Sequence, residues 1–205
     1  MIIQVHPANP EQRKIAQIVD ILKKGGVIIY PTDSVYAFAC DINNKNAVEK
    51  ICQLKHINIE KANFSIVCKD FSEVSEFTKQ LGNSTFKLMK KHLPGPFTFI
   101  LNASNKMPGI FRKGKKTIGI RVPLNNIALS IVTALGNPIV TSSIKDEDEV
   151  IEYTTDPSLI HDRLEKLVNL VIDGGYGNNT ATTIVDCTTD SPAIIRQGLG
   201  VIEDL

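Results

Sequence analysis

Apolar residues along this chain recur with two periods, and the two alternate almost from end to end. "KIAQIVDILKKGG" places Ile15, Ile18, Val19 and Leu22 at i, i+3, i+4 and i+7, the stripe of a helix with one buried face. Asn9 stands as N-cap, Pro10 suits a first turn, and Gln12 sits where a capping box would put it. The helix is therefore predicted to begin at 9–10 and to stop at Gly25. "VIIY" at 27–30 follows as a buried strand. A helix over 45–54, with Val48, Ile51 and Cys52 on one face, precedes a strand at 64–68 and helices near 72–80 and 84–92. "FTFIL" at 97–101 and "TIGIRV" at 117–122 read as strands, and Asn125 or Asn126 caps a helix that Gly136 ends. "PIVTS", "LVNLVID", "TTIVD" and "AIIR" are further strands, with a helix near 157–166 between the first two.

This alternation predicts an α/β fold, a sheet covered by helices on its faces. The strand-rich ending predicts a mixed sheet rather than a purely parallel one. No repeat, heptad, low-complexity tract or Gly/Pro/Ser-rich linker interrupts the pattern, so a single domain over 1–205 is expected. The acidic stretch "SSIKDEDEVIEYTTD" carries little pattern and is expected to be a loop.

Composition narrows the class but not the function. With 42% hydrophobic and 22% charged residues the chain is of ordinary globular type. A net charge of +1 neither selects nor excludes nucleic acid, since a local basic patch fits inside a neutral total. Cys40, Cys52, Cys68 and Cys187 form no C-x-x-C pair, which argues against a zinc site or a thioredoxin-like centre and for buried thiols in a reducing compartment. The four histidines have no metal spacing, so no metal site in the protein is expected. The N-terminus lacks the basic start and apolar core of a signal peptide, and no run approaches eighteen apolar residues. A cytoplasmic protein with no membrane partner is the expectation.

The candidate chemistry lies at strand ends. There is no Walker A loop, no G-x-G-x-x-G and no G-x-S-x-G. Instead "YPTDSVY", "HLPGPFTF", "TIGIRVP", "IVTSS", "IDGGYGNNTATTIVD" and "IIRQG" each put small polar or basic residues where a strand stops. Each cluster alone is also turn chemistry. Their recurrence suggests one shared site, because ligands of α/β sheets gather outside strand ends. Lys55, Arg121 and Arg196 lie near ends of predicted elements and suit phosphate. Arg112, Lys113, Lys115 and Lys116 form a basic run that reads equally as a solvated hairpin or an RNA-binding patch. Asp33 is expected to fix its turn by bonding nearby backbone amides.

Taken in order, these motifs resemble the YrdC/YciO family, and the YciO branch most closely. "YPTDSVYAFACD" resembles its opening P-T-D-S/T-x-Y, with Ala37 at the usual glycine; "LPGPFTFIL", "TIGIRVP", "DGG…TTIVD" and "IIRQG" are similar to its later motifs. The resemblance spans residues 7 to 200. It implies a twisted α/β fold with a large, basic, concave cavity. YrdC-type members are threonylcarbamoyl-AMP synthases: nucleotidyltransferases that join L-threonine, bicarbonate and ATP, release pyrophosphate, and supply a tRNA modification. Members have also been described as binding double-stranded RNA. On that pattern Thr32, Ser34 and Tyr36 would line the threonine end. Lys55, Arg121, Ser142, Thr183 and Arg196 would meet the nucleotide and its phosphates, Lys55 and Ser142 being catalytic, and Mg2+ would accompany the ATP.

One departure stands out. The synthases carry a K-x-R…S-x-N tetrad; here Lys55 and Ser142 remain, but Ile57 and Ile144 occupy the arginine and asparagine positions. Losing a donor aimed at a transition state costs about 10²–10³ in rate. A slow synthase and a non-catalytic nucleotide- or RNA-binding module are thus both compatible with the sequence.

Overall fold

The computed structural model describes residues 1–111, 116–144 and 154–203. Ten strands form one mixed sheet in the order β1-β8-β2-β3-β7-β4-β6-β5-β9-β10. They are β1 (Ile2–Gln4), β2 (Ile28–Tyr30), β3 (Ala37–Asp41), β4 (Ser65–Val67), β5 (Phe97–Asn102), β6 (Thr117–Arg121), β7 (Ile139–Ser143), β8 (Leu170–Asp173), β9 (Thr183–Asp186) and β10 (Ala193–Arg196). The helices are α1 (Gln12–Lys23), α2 (Lys45–Leu54), α3 (Phe71–Phe77), α4 (Asn83–His92), α5 (Asn126–Leu135) and α6 (Pro157–Leu164). Parallel pairs (β1–β8, β2–β8, β4–β6, β5–β9) and antiparallel pairs (β2–β3, β3–β7, β4–β7, β5–β6, β9–β10) both occur, as the strand-rich ending predicted.

The sheet separates two apolar clusters. On one face Ile15, Ile18, Val19 and Leu22 of α1 and Ile127, Ile131 and Val132 of α5 pack with Ile28, Ala39 and Leu170. On the other, Ala47, Val48, Ile51 and Cys52 of α2 pack with Phe38, Cys40, Ile66 and Phe99. Each fully buried Ile or Leu contributes about 1.5–3 kcal/mol. All four cysteines are buried and unpaired. Asn125 caps α5 by accepting from the Ala128 amide, and Gly136 closes the helix at φ 84, a left-handed position where a Cβ is costly.

Some boundaries differ from the sequence expectation. α1 begins at Gln12, not at 9–10, because Glu11 takes the start: it accepts from the His6 amide and pairs with Lys14, while the Asn9 amide donates to His6 Nδ1. β1 and β3 went unanticipated. Among the described residues no helix is long and apolar enough to cross a membrane. The acidic segment 145–153, and Arg112, Lys113 and Lys115 of the basic run, lie outside the described residues; Lys116 is exposed.

Candidate active site

Pro31 ends β2 by removing a ladder donor, and the hydroxyl of Thr32 then sets the turn. Thr32 Oγ1 accepts from the Ser34 amide at 3.0 Å and donates to the Val35 carbonyl at 2.7 Å, with Ser34 Oγ 3.1 Å away. This local loop delivers Asp33 and Ser34 to the C-terminal end of β6. Arg121 Nη2 donates to Asp33 Oδ1 at 2.6 Å and to Ser34 Oγ at 3.2 Å, and the Leu124 amide donates to Asp33 Oδ2 at 2.9 Å. Asp33 thus bonds residues some ninety positions away rather than the amides of its own turn, a correction to the sequence expectation. The Arg121 and Asp33 side chains are 7% and 6% exposed. Removing one partner of such a pair costs about 3–5 kcal/mol, so the arginine is held in place by its carboxylate. Among the described residues, both hydrogen bonds of the guanidinium leave from Nη2, and its buried Nε meets no partner.

The Tyr36 hydroxyl, which the family resemblance put at the threonine end, is engaged by backbone in this structure. The hydroxyl donates to the Gly175 carbonyl at 2.7 Å and accepts from the Gly174 amide at 3.2 Å, which ties β3 to the exit of β8. Burial pushes the phenol well above its ordinary pKa and keeps it neutral. Gly177 lies so close to the Tyr36 ring that a Cβ there would stand 2.7 Å from it. The Gly177 amide donates to Thr155 O and the Asn178 amide to Ser34 O. A cleft of about 530 Å³ lies between these loops, lined by Thr32, Asp33, Ser34, Thr155, Tyr176 and the backbone turn at 177–179.

Lys55 follows α2 and reaches the exit of β7, where Nζ donates to the Ser143 carbonyl at 2.8 Å. In β7, Ser142 is paired with Phe38 and Ser143 with Ala37. The pleat therefore puts Ser142 on the α2 side, with Phe38 and Val140, and puts Thr141 and Ser143 on the side of Tyr30. Ile144 is 7% exposed, and Ile57 packs against the same apolar cluster. Both isoleucines supply packing where a polar group would supply donors. His56, between Lys55 and Ile57, is exposed and holds φ 52.

A polar stripe crosses the sheet beyond the cover of α1 and α5. The hydroxyls of Tyr30 and Thr141 are 2.9 Å apart, and those of Thr98 and Thr182 are 2.8 Å apart. Between them Ser65 is in register with both Thr141 and Gly119. A Cβ at Gly119 would collide with Ser65 Oγ and stand 3.1 Å from Thr98 Cγ2, so these neighbours already fill the space over the glycine. Phe99 is paired with Ile120, which brings Thr98 level with Arg121; Thr98 is paired with Ile184, and Ile184 with Arg196. Arg121 and Arg196 thus share one row, three strand spacings or about 14 Å apart. Arg196 Nη2 donates to Thr182 O at 3.0 Å.

Thr183 is placed differently from its sequence assignment. Pairing with Phe97 turns it to the opposite face, where Oγ1 donates to Gly200 O and accepts from the Gly198 amide. Its neighbour Thr182 holds the position facing the stripe. Thr32, Ser34 and Arg121 therefore form one cluster, Lys55 marks the β7 exit and Arg196 closes the row, whereas Ser142, like Thr183, faces the opposite side of the sheet from the sequence assignment. Tyr30, Thr98, Thr141 and Thr182, whose hydroxyls pair along the stripe, were not singled out from the sequence.

The comparisons with known proteins agree with this architecture. The Sua5/YciO/YrdC family model, described as "Telomere recombination", matches residues 20–198. The chain belongs to this family. It is 44% identical to the "Uncharacterized protein YciO" of Escherichia coli (strain K12), over 97% of this chain and 96% of that one. The crystal structure of E. coli YciO matches with a TM-score of 0.91 at 43% identity, covering 99% and 98% of the two chains. The threonylcarbamoyl-AMP synthase of Nitrosococcus oceani is 34% identical over 60% of this chain and 66% of its own. Pyrococcus abyssi Sua5, solved in complex with L-threonine, shares the fold with a TM-score of 0.86 at 24% identity, over 97% of this chain and 57% of that one.

Proposed function

We propose that this Sua5/YciO/YrdC protein is a slow, cytoplasmic threonylcarbamoyl-AMP synthase serving tRNA modification. Its substrates are L-threonine, bicarbonate and ATP, with magnesium arriving as the counter-ion of the nucleotide phosphates. The observation that carries this reading is Arg121: a buried guanidinium, fixed by Asp33, with its Nε unspent beside the Thr32–Ser34 turn. Such a group suits the carboxylate of a small amino acid. Arg121 is accordingly assigned to the amino-acid end rather than to the phosphates, which fall to Lys55 and Arg196.

In the reaction, the threonine amine adds to the carbon of bicarbonate and a C–O bond breaks with loss of water, giving a carbamate. A carbamate oxygen attacks the α-phosphorus, and the bond to pyrophosphate breaks. Catalysis of that step is positioning and charge stabilisation and needs no protein nucleophile. The apolar positions 57 and 144 contribute no donors, which accounts for the expected low rate.

The test is pyrophosphate release at high enzyme concentration. Release that requires both threonine and bicarbonate, and that falls in Lys55→Ala, supports the reading; release indifferent to threonine overturns it. The burial of Ile144 in the core, with half-buried Ile57 packed against it, favours one second reading, a module that binds a nucleotide or double-stranded RNA without turnover. ATP would then raise the melting temperature with no pyrophosphate formed, and RNA affinity would fall steeply with salt.

A further inference from the structure

The Arg121–Asp33 pair has a consequence for which anions the site accepts. Asp33 spends both carboxylate oxygens, one on Arg121 Nη2 at 2.6 Å and one on the Leu124 amide at 2.9 Å. It stays beside the guanidinium at 6% exposure, with little water to screen it. An anion reaching the remaining donors of Arg121 therefore meets a cation whose charge is already balanced. A single negative charge is accommodated by hydrogen bonds to the guanidinium and to the Ser34 hydroxyl, the Thr32 proton being held by the Val35 carbonyl. A second negative charge gains no further cation there and lies a few ångströms from the Asp33 carboxylate, where repulsion in a dry site is strong.

We propose that Asp33 is a positioning residue that sets charge selectivity: by neutralising Arg121 it restricts this end of the site to monoanionic carboxylates and excludes phosphate-like dianions. This inference rests on the amino-acid reading of the site and adds to it the reason why phosphates bind elsewhere along the stripe. In a cavity that must hold a triphosphate and an amino acid together, it keeps the triphosphate from occupying the amino-acid end.

The experiment compares L-threonine with its phosphonate analogue, which replaces the carboxylate by a dianion at about pH 8, using calorimetry on the intact protein. The wild type should bind threonine at least tenfold more tightly than the phosphonate. In Asp33→Asn the preference should collapse or reverse, because the guanidinium charge is no longer balanced, while threonine binding weakens through looser positioning. Equal binding of the two ligands by the wild type overturns the inference, and this arm does not depend on the variant folding. An unchanged preference in a folded Asp33→Asn protein overturns it as well and assigns Asp33 a purely structural role. Binding of neither ligand by the wild type rejects the amino-acid reading itself, and with it the inference.

Discussion

The ammonium of Lys55 donates to the carbonyl of Ser143 at 2.8 Å, joining the end of α2 to the exit of β7 across 88 residues. That bond fixes the cation at a strand end without covering it, since Lys55 is only half-buried. Lys55→Ala should lower threonine-dependent pyrophosphate release by about 10²–10³-fold, the cost of one donor aimed at developing charge. Steady-state kinetics with thermal melting separates this from unfolding. A loss of activity matched by an equal loss of folded protein would refute the role.

Tyr36→Phe should destabilise the protein without changing the chemistry of the site. The hydroxyl satisfies one carbonyl and one amide, Gly175 O and Gly174 N, and its removal should cost about 1–3 kcal/mol. Urea unfolding measures the cost. The affinity for threonine in the folded fraction should stay within about twofold, because the hydroxyl faces backbone rather than ligand.

Thr183→Val tests the reassignment of that hydroxyl to the C-terminal segment. It should lower stability by about 1–3 kcal/mol by stranding the Gly198 amide, while Gly200 O keeps its bond from Gln197 Nε2, and leave nucleotide affinity nearly unchanged. Thr182→Val should show the opposite pattern, weakening nucleotide binding at a smaller cost in stability. Paired thermal melts with and without ATP distinguish the two.

Glu73 yields a pH prediction. Burial raises its carboxyl above the ordinary value of 4.5, although the Lys69 amide bonds Oε2 and opposes the rise. A raised pKa in the folded state means that the stabilising contribution belongs to the protonated form. It is complete below the ordinary carboxylate value and is lost as pH rises through the folded value. At neutral pH the buried charge is therefore a liability. Glu73→Gln, which keeps an acceptor for Lys69, should melt higher than the wild type at pH 7, and the gain should vanish at about pH 4. A gain that persists in acid would rule out burial of the charge as its cause.

The sequence disclosed the sheet unevenly, for physical reasons. Helices α1, α2 and α5 were legible because each has one wet face, which gives the 3.6-residue period something to alternate against. β3 was not, because Ala37, Phe38, Ala39 and Cys40 are all buried and a strand covered on both sides has no period. At the site, "PTDS" was readable as a strand exit, but its partner was not: nothing local points from Asp33 to Arg121. Thr183 and Thr182 show the same limit at finer scale. A strand's run of residues fixes its existence, while only the register with its neighbour decides which side chain faces which way.

The bonds that assemble this site span long stretches of chain: 88 residues from Asp33 to Arg121, and 139 from Tyr36 to Gly175. No fragment of the protein can carry a partial version of it. The turn, the arginine and the glycine loop meet only when the middle and the far side of the sheet have both closed. A ligand bound here consequently acts on the whole topology at once. Its binding energy should appear in the slowest-exchanging amides of the central strands, not merely in the loops it touches, and occupancy of the site becomes a report that the entire chain has found its fold.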